Sequence, residues 1–304
     1  MNKTRSKTKD SFSSFSLSGE LLKAIKELGF KHPTPIQNKV IPHLMSSDQD
    51  LIASAQTGTG KTAAFGLPLL SLTNTQSNKV QTLILCPTRE LCIQITNDLS
   101  SYSKYLRMVN ILAVYGGTKI EKQIRALKRG PQIIVGTPGR TKDLIRRKKL
   151  FVDNIKRLVL DEADEMLSMG FKDDLESIIH ATSKKKQILL FSATMTPKVI
   201  GVTKKYMKKS IEIAVARVNR AADNVQHQFY MVQAKDRYEV IKRIADMNPD
   251  IYGIVFCRTR RETKEVSNKL MNDHYNADTI HGDLTQAERD DVMRRFRKRQ
   301  LQIL

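Results

Sequence analysis

Six short apolar segments, DLIAS, TLILCP, NILAVY, QIIVGT, RLVLDEAD and QILLFSAT, punctuate the first two thirds of the chain, and polar or amphipathic stretches separate them. Runs this short and this uniformly apolar suit strands buried on both faces, and the stretches between them carry helical spacing. Leu21, Leu22, Ile25 and Leu28 repeat at that spacing between a cap at Ser18 and a stop at Gly29. The alternation predicts the α/β class, a parallel sheet covered by helices on both faces. Around AVARVNRAADN the periodicity lapses, and a second alternating series follows with HQFYMVQ, YGIVFC and ADTIHGD as strands. A weak echo, LILCPTRE at 83–90 and IVFCRTRRE at 254–262, is consistent with two related domains. The predicted organisation is a basic tail at 1–11, a first domain at 12–212, a linker at 213–222 and a second domain at 223–304. That second domain holds only about half of the usual ~150 residues. It closes on RRFRKRQLQIL, a basic helix running into an apolar strand start, so it is expected to be incomplete.

The strand DLIAS leads into AQTGTGKTAAF at 55–65. Gly58 and Gly60 allow a tight turn whose amides point inward, and the helix that follows offers its N-terminus to phosphate oxygens. Lys61 supplies a point charge to β and γ phosphates, and Thr62 a hydroxyl to Mg²⁺. The loop Ala55, Gln56, Thr57, Gly58, Thr59, Gly60, Lys61, Thr62 meets the pattern GxxxxGK[ST] except at its first position, Ala55. Pro68 lies within the helix and is expected to kink or shorten it. About 100 residues further on, apolar LVL runs directly into Asp161, Glu162, Ala163 and Asp164. Carboxylates at the C-terminal end of a buried parallel strand face the crevice where such sheets bind ligands. Asp161 can hold Mg²⁺ through water and Glu162 can orient and deprotonate an attacking water.

Composition narrows the class. At 40% hydrophobic and 27% charged, the chain is too apolar for a disordered segment and too broken by charge for a membrane span. MNKTRSKTKD is basic but runs into SFSSFS and lacks a signal-peptide core. Cys86, Cys92 and Cys257 show neither disulfide nor zinc spacing. A reducing cytoplasm is the expected compartment. The net charge is +21, of which residues 1–212 carry +17. From Lys104 to Lys149 there are 13 basic and 2 acidic residues, an excess that points to a polyanion such as nucleic acid, or else to a solvated lysine-rich helical face.

These motifs, in this order and spacing from Phe12 to Leu304, resemble the DEAD-box ATP-dependent RNA helicases of superfamily 2. The resemblance implies two tandem RecA-like domains, the second incomplete, with ATP and Mg²⁺ as ligands and RNA as partner. Phe12 and GFKHPTPIQ at 29–37 are similar to the Q motif, which implies adenine recognition, with Gln37 on the base edge and Phe12 stacking. A carboxamide offers adenine both a donor and an acceptor. Pro87, Thr88 and Arg89 of PTREL, then Gly116 and Gly117, then Thr137, Pro138, Gly139 and Arg140 match the RNA-contacting segments of the first domain. Arginine forks and threonine hydroxyls suit phosphates. Ser192 and Thr194 of SAT match the segment linking nucleotide state to closure, with Asp161 or Asp164 as their expected partner. In the second domain, IVFCRTR, HGD and QAER bring Arg258, Gly282, Asp283 and Arg289 as RNA contacts, while His281 is given a structural role. The family's two later motifs, one of which supplies arginine fingers, are not found up to Leu304. An arginine finger is worth about 10³ to 10⁵ in rate, so this chain is expected to bind ATP and hydrolyse it weakly. Binding is expected to be independent of RNA sequence, to single strands and duplexes. No membrane partner is expected, ribosomal or RNA-decay proteins are candidate partners, and the expected state is a monomer. The rival readings are a DNA helicase of the same superfamily, a non-enzymatic RNA clamp or chaperone, and a small-molecule kinase.

Overall fold

The computed structural model describes residues 11–56, 58–214 and 225–304. The chain divides into two compact units, Met1–Arg220 and Ala221–Leu304. In the first, strands β1 (Leu51–Ser54), β2 (Thr82–Leu85), β3 (Ile111–Val114), β4 (Ile133–Gly136), β5 (Arg157–Leu160), β6 (Gln187–Ser192) and β7 (Ile211–Ala214) form one sheet. Their order is β3-β4-β2-β5-β6-β1-β7 and every pairing is parallel. The six apolar segments of the sequence are β1 to β6. The seventh strand corrects the predicted linker: Ile213 and Ala214 are its last two positions, and the rest of that linker, 215–222, lies outside the described residues. Only Ile213 is buried in β7, so an edge strand of this kind carries no apolar run to read.

Helices α1 (Gly19–Glu27), α2 (Pro35–Ser46), α3 (Lys61–Ser71), α4 (Arg89–Tyr102), α5 (Ile120–Leu127), α6 (Pro138–Arg146), α7 (Ala163–Ser168), α8 (Lys172–Ala181) and α9 (Pro197–Tyr206) cover the sheet. The period-two alternation of the strands sorts the core into two layers. Leu51, Ala53, Leu189 and Phe191 face Ile36, Phe65 and Leu99 on one side. Ile52, Ile188 and Leu190 face Leu144, Met166, Ile178 and Val199 on the other. Phe65 and Phe191 are fully buried with ring centroids 5.1 Å apart, and each ring contributes about 1.5–3 kcal/mol by leaving water. Ser18, Thr88 and Thr196 begin helices by accepting the N–H of Leu21, Leu91 and Val199. Helix α3 runs through Pro68 to Ser71, with the proline in its last turn, where the interrupted ladder has little helix left to break.

In the second unit, helices α10 (Arg237–Asp246) and α11 (Arg260–Asn272) pack on a small core of Ala245, Leu270, Ala277 and Ile303, while α12 (Gln286–Arg297) buries Val292 and Phe296 in a separate cluster with Leu301. The predicted strands YGIVFC and ADTIHGD reach only isolated parallel bridges, from Gly253 and Ala277 to Ile303. HQFYMVQ pairs with nothing among the described residues, and Phe229 and Met231 stand 85% and 90% exposed. An apolar pattern becomes a strand only where a neighbour supplies the ladder, and here fewer neighbours are in place than the sequence implied.

Gly136 ends β4 where a Cβ would collide with the Thr141 hydroxyl and lie 2.8 Å from Val114 Cγ2, whereas Gly116 has open space around it. Gly136→Ala is expected to cost about 1–3 kcal/mol in urea unfolding. Gly116→Ala should stay within about 0.5 kcal/mol of the parent.

Candidate functional site

Apart from Phe12 and GFKHPTPIQ, which precede β1, the motif segments of the first unit leave the sheet at the C-terminal ends of strands. Ser54 pairs with Ser192 and Leu160 with Leu190, so the turns after β1, β5 and β6 emerge side by side. The turn after β1 is held in three ways. Gly60 sits at φ +87, open to glycine and strained for other residues. Thr59 Oγ1 donates to the Gln56 carbonyl at 2.8 Å, and Lys61 Nζ donates to the Ala55 carbonyl at 3.1 Å. Lys61 is buried, so its ammonium, with two more N–H donors, aims into the turn it would share with a phosphate. Thr57 lies outside the described residues.

Gln37 is 3% exposed. Its Oε1 accepts the Thr34 N–H at 2.9 Å and its Nε2 donates to the Gly60 carbonyl at 3.1 Å. Both ends of the carboxamide therefore tie the start of α2 to the phosphate loop. Phe12 is buried in a 3₁₀ turn, edge-on to Phe15 and 6.0 Å from Phe30, and it lines a neighbouring cavity of about 640 Å³ with Phe30. The cavity over the phosphate loop, about 390 Å³, is lined by Phe30, Gln37, Gly58, Gly60, Lys61, Thr62, Asp161 and Glu162, and by Gln94, Asp98 and Tyr102 of α4. Sequence reasoning missed the last three, although their spacing of four residues marks one helix face. Phe30 was within reach inside GFKHPTPIQ.

The acidic residues divide their work. Asp161 is 3% exposed, and burial pushes its carboxyl up to about 6 although Lys61 opposes the shift. It accepts the Glu162 N–H at 3.1 Å. Glu162 takes a left-handed backbone, φ 53 and ψ 51, a conformation that non-glycine residues hold only under constraint. Burial also raises the Glu162 carboxyl, with Lys61 opposing and Asp164 and Glu165 adding to it. Burial works against the Asp164 carboxylate too, but hydrogen bonds from Thr194 and Ser192 outweigh it and hold the group below its ordinary range. Asp164 Oδ2 accepts the Thr194 N–H at 2.9 Å and the Thr194 hydroxyl at 2.7 Å, while Ser192 Oγ donates to the Thr194 carbonyl at 2.7 Å. SAT therefore bonds Asp164 and leaves Asp161 facing the cavity. One hydroxyl, Thr62, and one carboxylate, Asp161, fit Mg²⁺, which keeps waters and phosphate oxygens and rarely takes an all-protein cage.

The predicted RNA-facing positions of the first unit lie on the same edge of its sheet. Thr88 caps α4, and the Arg89 guanidinium sits 5.1 Å from the centre of the Tyr115 ring. Thr137 precedes α6, whose Pro138, Gly139 and Arg140 form its first turn. Arg140 donates to Gln123 Oε1 at 3.0 Å and to the Thr118 carbonyl at 3.1 Å, so in this structure its fork shapes the turn that holds Gly116 and Gly117. In the second unit Arg289 donates to the Gly282 carbonyl at 2.9 Å, and Asp283 pairs with Arg260 and Lys264. The Arg258 N–H bonds Glu262 at 3.0 Å. His281 Nδ1 accepts the Asp283 N–H at 3.3 Å, in keeping with a structural role. The charge of 104–149 does not gather at these positions. Lys104 pairs with Glu27, Lys142 with Asp174, and Lys128, Arg129 and Arg146 to Lys149 lie at or beyond the C-terminal ends of α5 and α6, away from the motif edge.

A parallel sheet with a phosphate loop on one strand and a buried Asp-Glu pair on a nearby strand defines a RecA-like nucleotide-binding domain. Comparison with known proteins specifies it further: the DEAD/DEAH box helicase profile matches residues 34–202, and the helicase conserved C-terminal domain profile matches 236–304. The chain belongs to the DEAD/DEAH box helicase family. It is 45% identical to the ATP-dependent RNA helicase CshA of Listeria monocytogenes, over 96% of this chain and 56% of that protein. It is 42% identical to the DEAD-box ATP-dependent RNA helicase CshA of Bacillus subtilis, over 96% of this chain and 59% of that one. The chain thus spans somewhat over half the length of these relatives. Among solved structures, a DEAD box protein from Methanococcus jannaschii matches with 42% identity and TM-score 0.65, over 96% of this chain and 78% of that chain. Saccharomyces cerevisiae Dbp5 bound to RNA and ADP BeF3 matches with 32% identity and TM-score 0.86, over 97% and 75%.

Thr194→Val removes the hydroxyl that Asp164 uses. It should destabilise the protein by about 1 kcal/mol at pH 7, less than a fully buried charged bond because Thr194 is exposed. Asp164 is held low when folded, so the stability it contributes is present above the ordinary Asp value of 3.8 and is lost as pH falls through the folded value. Thermal melts of parent and variant should accordingly converge below pH 3.8, and Thr194→Ser should restore the parent curve.

Proposed function

We propose that the protein carrying this chain is an ATP-dependent RNA helicase, which grips single-stranded RNA by its backbone and separates short duplexes as it hydrolyses ATP. One observation carries the reading: Lys61, Thr62, Asp161 and Glu162 line one cavity, and PTREL, GG and TPGR leave the sheet on the same edge. The triphosphate lies along the turn from Ala55 to Thr62, with Lys61 turned from the Ala55 carbonyl to the β and γ phosphates. Mg²⁺, when bound by Thr62 and, through water, by Asp161, neutralises charge on the phosphates. Glu162 orients the attacking water and takes its proton; its raised carboxyl places it closer to working pH than an ordinary glutamate. Phe30 and Tyr102 line that cavity, and Phe12, packed against Phe30, is the ring that the family resemblance sets against the base.

Asp164 reports the nucleotide through Thr194, because SAT can shift only if that carboxylate rearranges. Arg89, Arg140, Arg258 and Arg289 reach phosphates once Arg140 and Arg289 exchange their present carbonyl partners for RNA. Contacts of this kind are sequence-independent and weaken with salt. The arginine-finger segment of the family is not among these 304 residues, so this chain alone binds ATP and turns it over slowly. No helix among the described residues is long and apolar enough to cross a membrane. A monomer working in the cytoplasm is the simplest setting for it. The rival readings separate cleanly. A DNA helicase would be stimulated equally by DNA, and an RNA clamp would anneal RNA undiminished in Lys61→Ala.

Lys61→Ala should weaken ATP binding at least tenfold in a fluorescent-nucleotide titration. Glu162→Gln should keep ATP affinity within about threefold and lower RNA-stimulated turnover at least 100-fold. Turnover that ignores added RNA, or survives Glu162→Gln, would overturn the proposal.

A further inference from the structure

Because the sheet is all parallel, its opposite edge gathers the segments that enter the strands. Thr82, Ile133 and Arg157 are register partners, so residues 78–80, 128–131 and 146–156 arrive there side by side. These three segments hold eight basic residues, Lys79, Lys128, Arg129, Arg146, Arg147, Lys148, Lys149 and Lys156, against one carboxylate, Asp153. All eight side chains are exposed. Helix dipoles explain basic residues in the last turns of α5 and α6. They do not explain Lys79, Lys148, Lys149 or Lys156, which lie in the connections, and Asp143 is already taken by Arg146 and Arg147.

Amid this charge is a cavity of about 320 Å³ lined by Lys79, Gly130, Lys149, Phe151, Asp153 and Asn154, among others. Phe151 is 67% exposed at a place where no core demands an aromatic ring. Cations that can track a backbone, around an open ring on which a base can stack, are the two components of a single-strand nucleic-acid platform. An anionic lipid surface would answer to the charge alone and would leave the cavity and its amide unexplained.

We propose that this edge is a second RNA-binding surface, at which Lys79 and Lys149 contact phosphates and Phe151 stacks on an unpaired base. It is separated from the motif edge by the length of the strands, about 10 Å, plus the turns at either end. It is built within the first unit and touches none of the nucleotide-binding residues, so its occupancy does not depend on ATP. The inference shares with the proposed helicase activity only the class of ligand.

The test is fluorescence anisotropy of an oligouridine of about 20 nucleotides with the chain, without nucleotide, across a salt series. Lys79→Ala/Lys149→Ala/Phe151→Ala should bind about tenfold more weakly, and its log Kd against log salt slope should fall by about 1.4, the value for two phosphate contacts on a single strand. ATP binding and the melting temperature should match the parent. In the unmodified chain, 4-thiouridine RNA should photocrosslink to a peptide containing residues 148–154 as well as to the motif edge; this arm does not depend on how the variant folds. Unchanged affinity and slope in a folded variant would overturn the surface, as would crosslinks confined to segments 87–89, 116–117 and 137–140. So would a loss seen only with phosphatidylglycerol vesicles. RNA-stimulated turnover that persists without these crosslinks removes the second surface and leaves the helicase reading intact; RNA that neither binds nor stimulates removes both.

Discussion

Parallel pairing is the constraint on which the rest of this molecule depends. With all seven strands of the first unit pointing one way, each connection must return across a face of the sheet before the next strand begins. Turns that follow strands therefore collect at one edge and turns that precede them at the other. That is how the turn that holds Gly58, Gly60 and Lys61 and the pair Asp161 and Glu162, about 100 residues further on, come to line one cleft. The buried ladders also fix the register, since a slip of one residue would carry Leu189 and Phe191 from one helical layer to the other.

Within the cleft, electrostatics is arranged around Lys61. It opposes the upward push of burial on both Asp161 and Glu162, and in this structure its ammonium leans on the Ala55 carbonyl. A triphosphate entering the turn competes for the same donors, so binding it withdraws part of the charge that holds the two carboxylates down. A divalent cation held by Thr62 and Asp161 would restore that balance, a physical reason for the proposed nucleotide and metal to enter together. Asp164 stands apart from this exchange because Thr194 meets it with both an amide and a hydroxyl. The three carboxylates of one short sequence are thereby given three environments.

Much of this was legible in the sequence because it rests on local patterns. Apolar runs gave β1 to β6, and glycine and lysine spacing gave the phosphate loop. What could not be read depends on partners. β7 holds its place by pairing with β1 and buries one side chain, while HQFYMVQ, apolar from Phe229 to Val232, has no ladder to join among the described residues. For Gln37, only the fold shows that the Gly60 carbonyl and the Thr34 N–H lie within its reach. The stripe of Gln94, Asp98 and Tyr102 became meaningful once α4 was seen to flank the cavity.

The basic run from 104 to 149 shows how far composition can mislead about place. As a sum it points to a polyanion, and the motifs embedded in it invite the conclusion that charge and motif serve one surface. Helices α5 and α6 each begin at the motif edge and end at the other, so a run that is continuous in sequence is split between two edges in space. This division has a thermodynamic consequence. A ligand shifts a conformational equilibrium only by the difference in its affinity for the two states, and a surface built from connections within one rigid unit presents the same face in each. RNA held there would be insensitive to the nucleotide cycle while the motif edge grips and releases. It would act as a tether, raising the local concentration of strand for the site that turns over and leaving that site's own affinity unchanged.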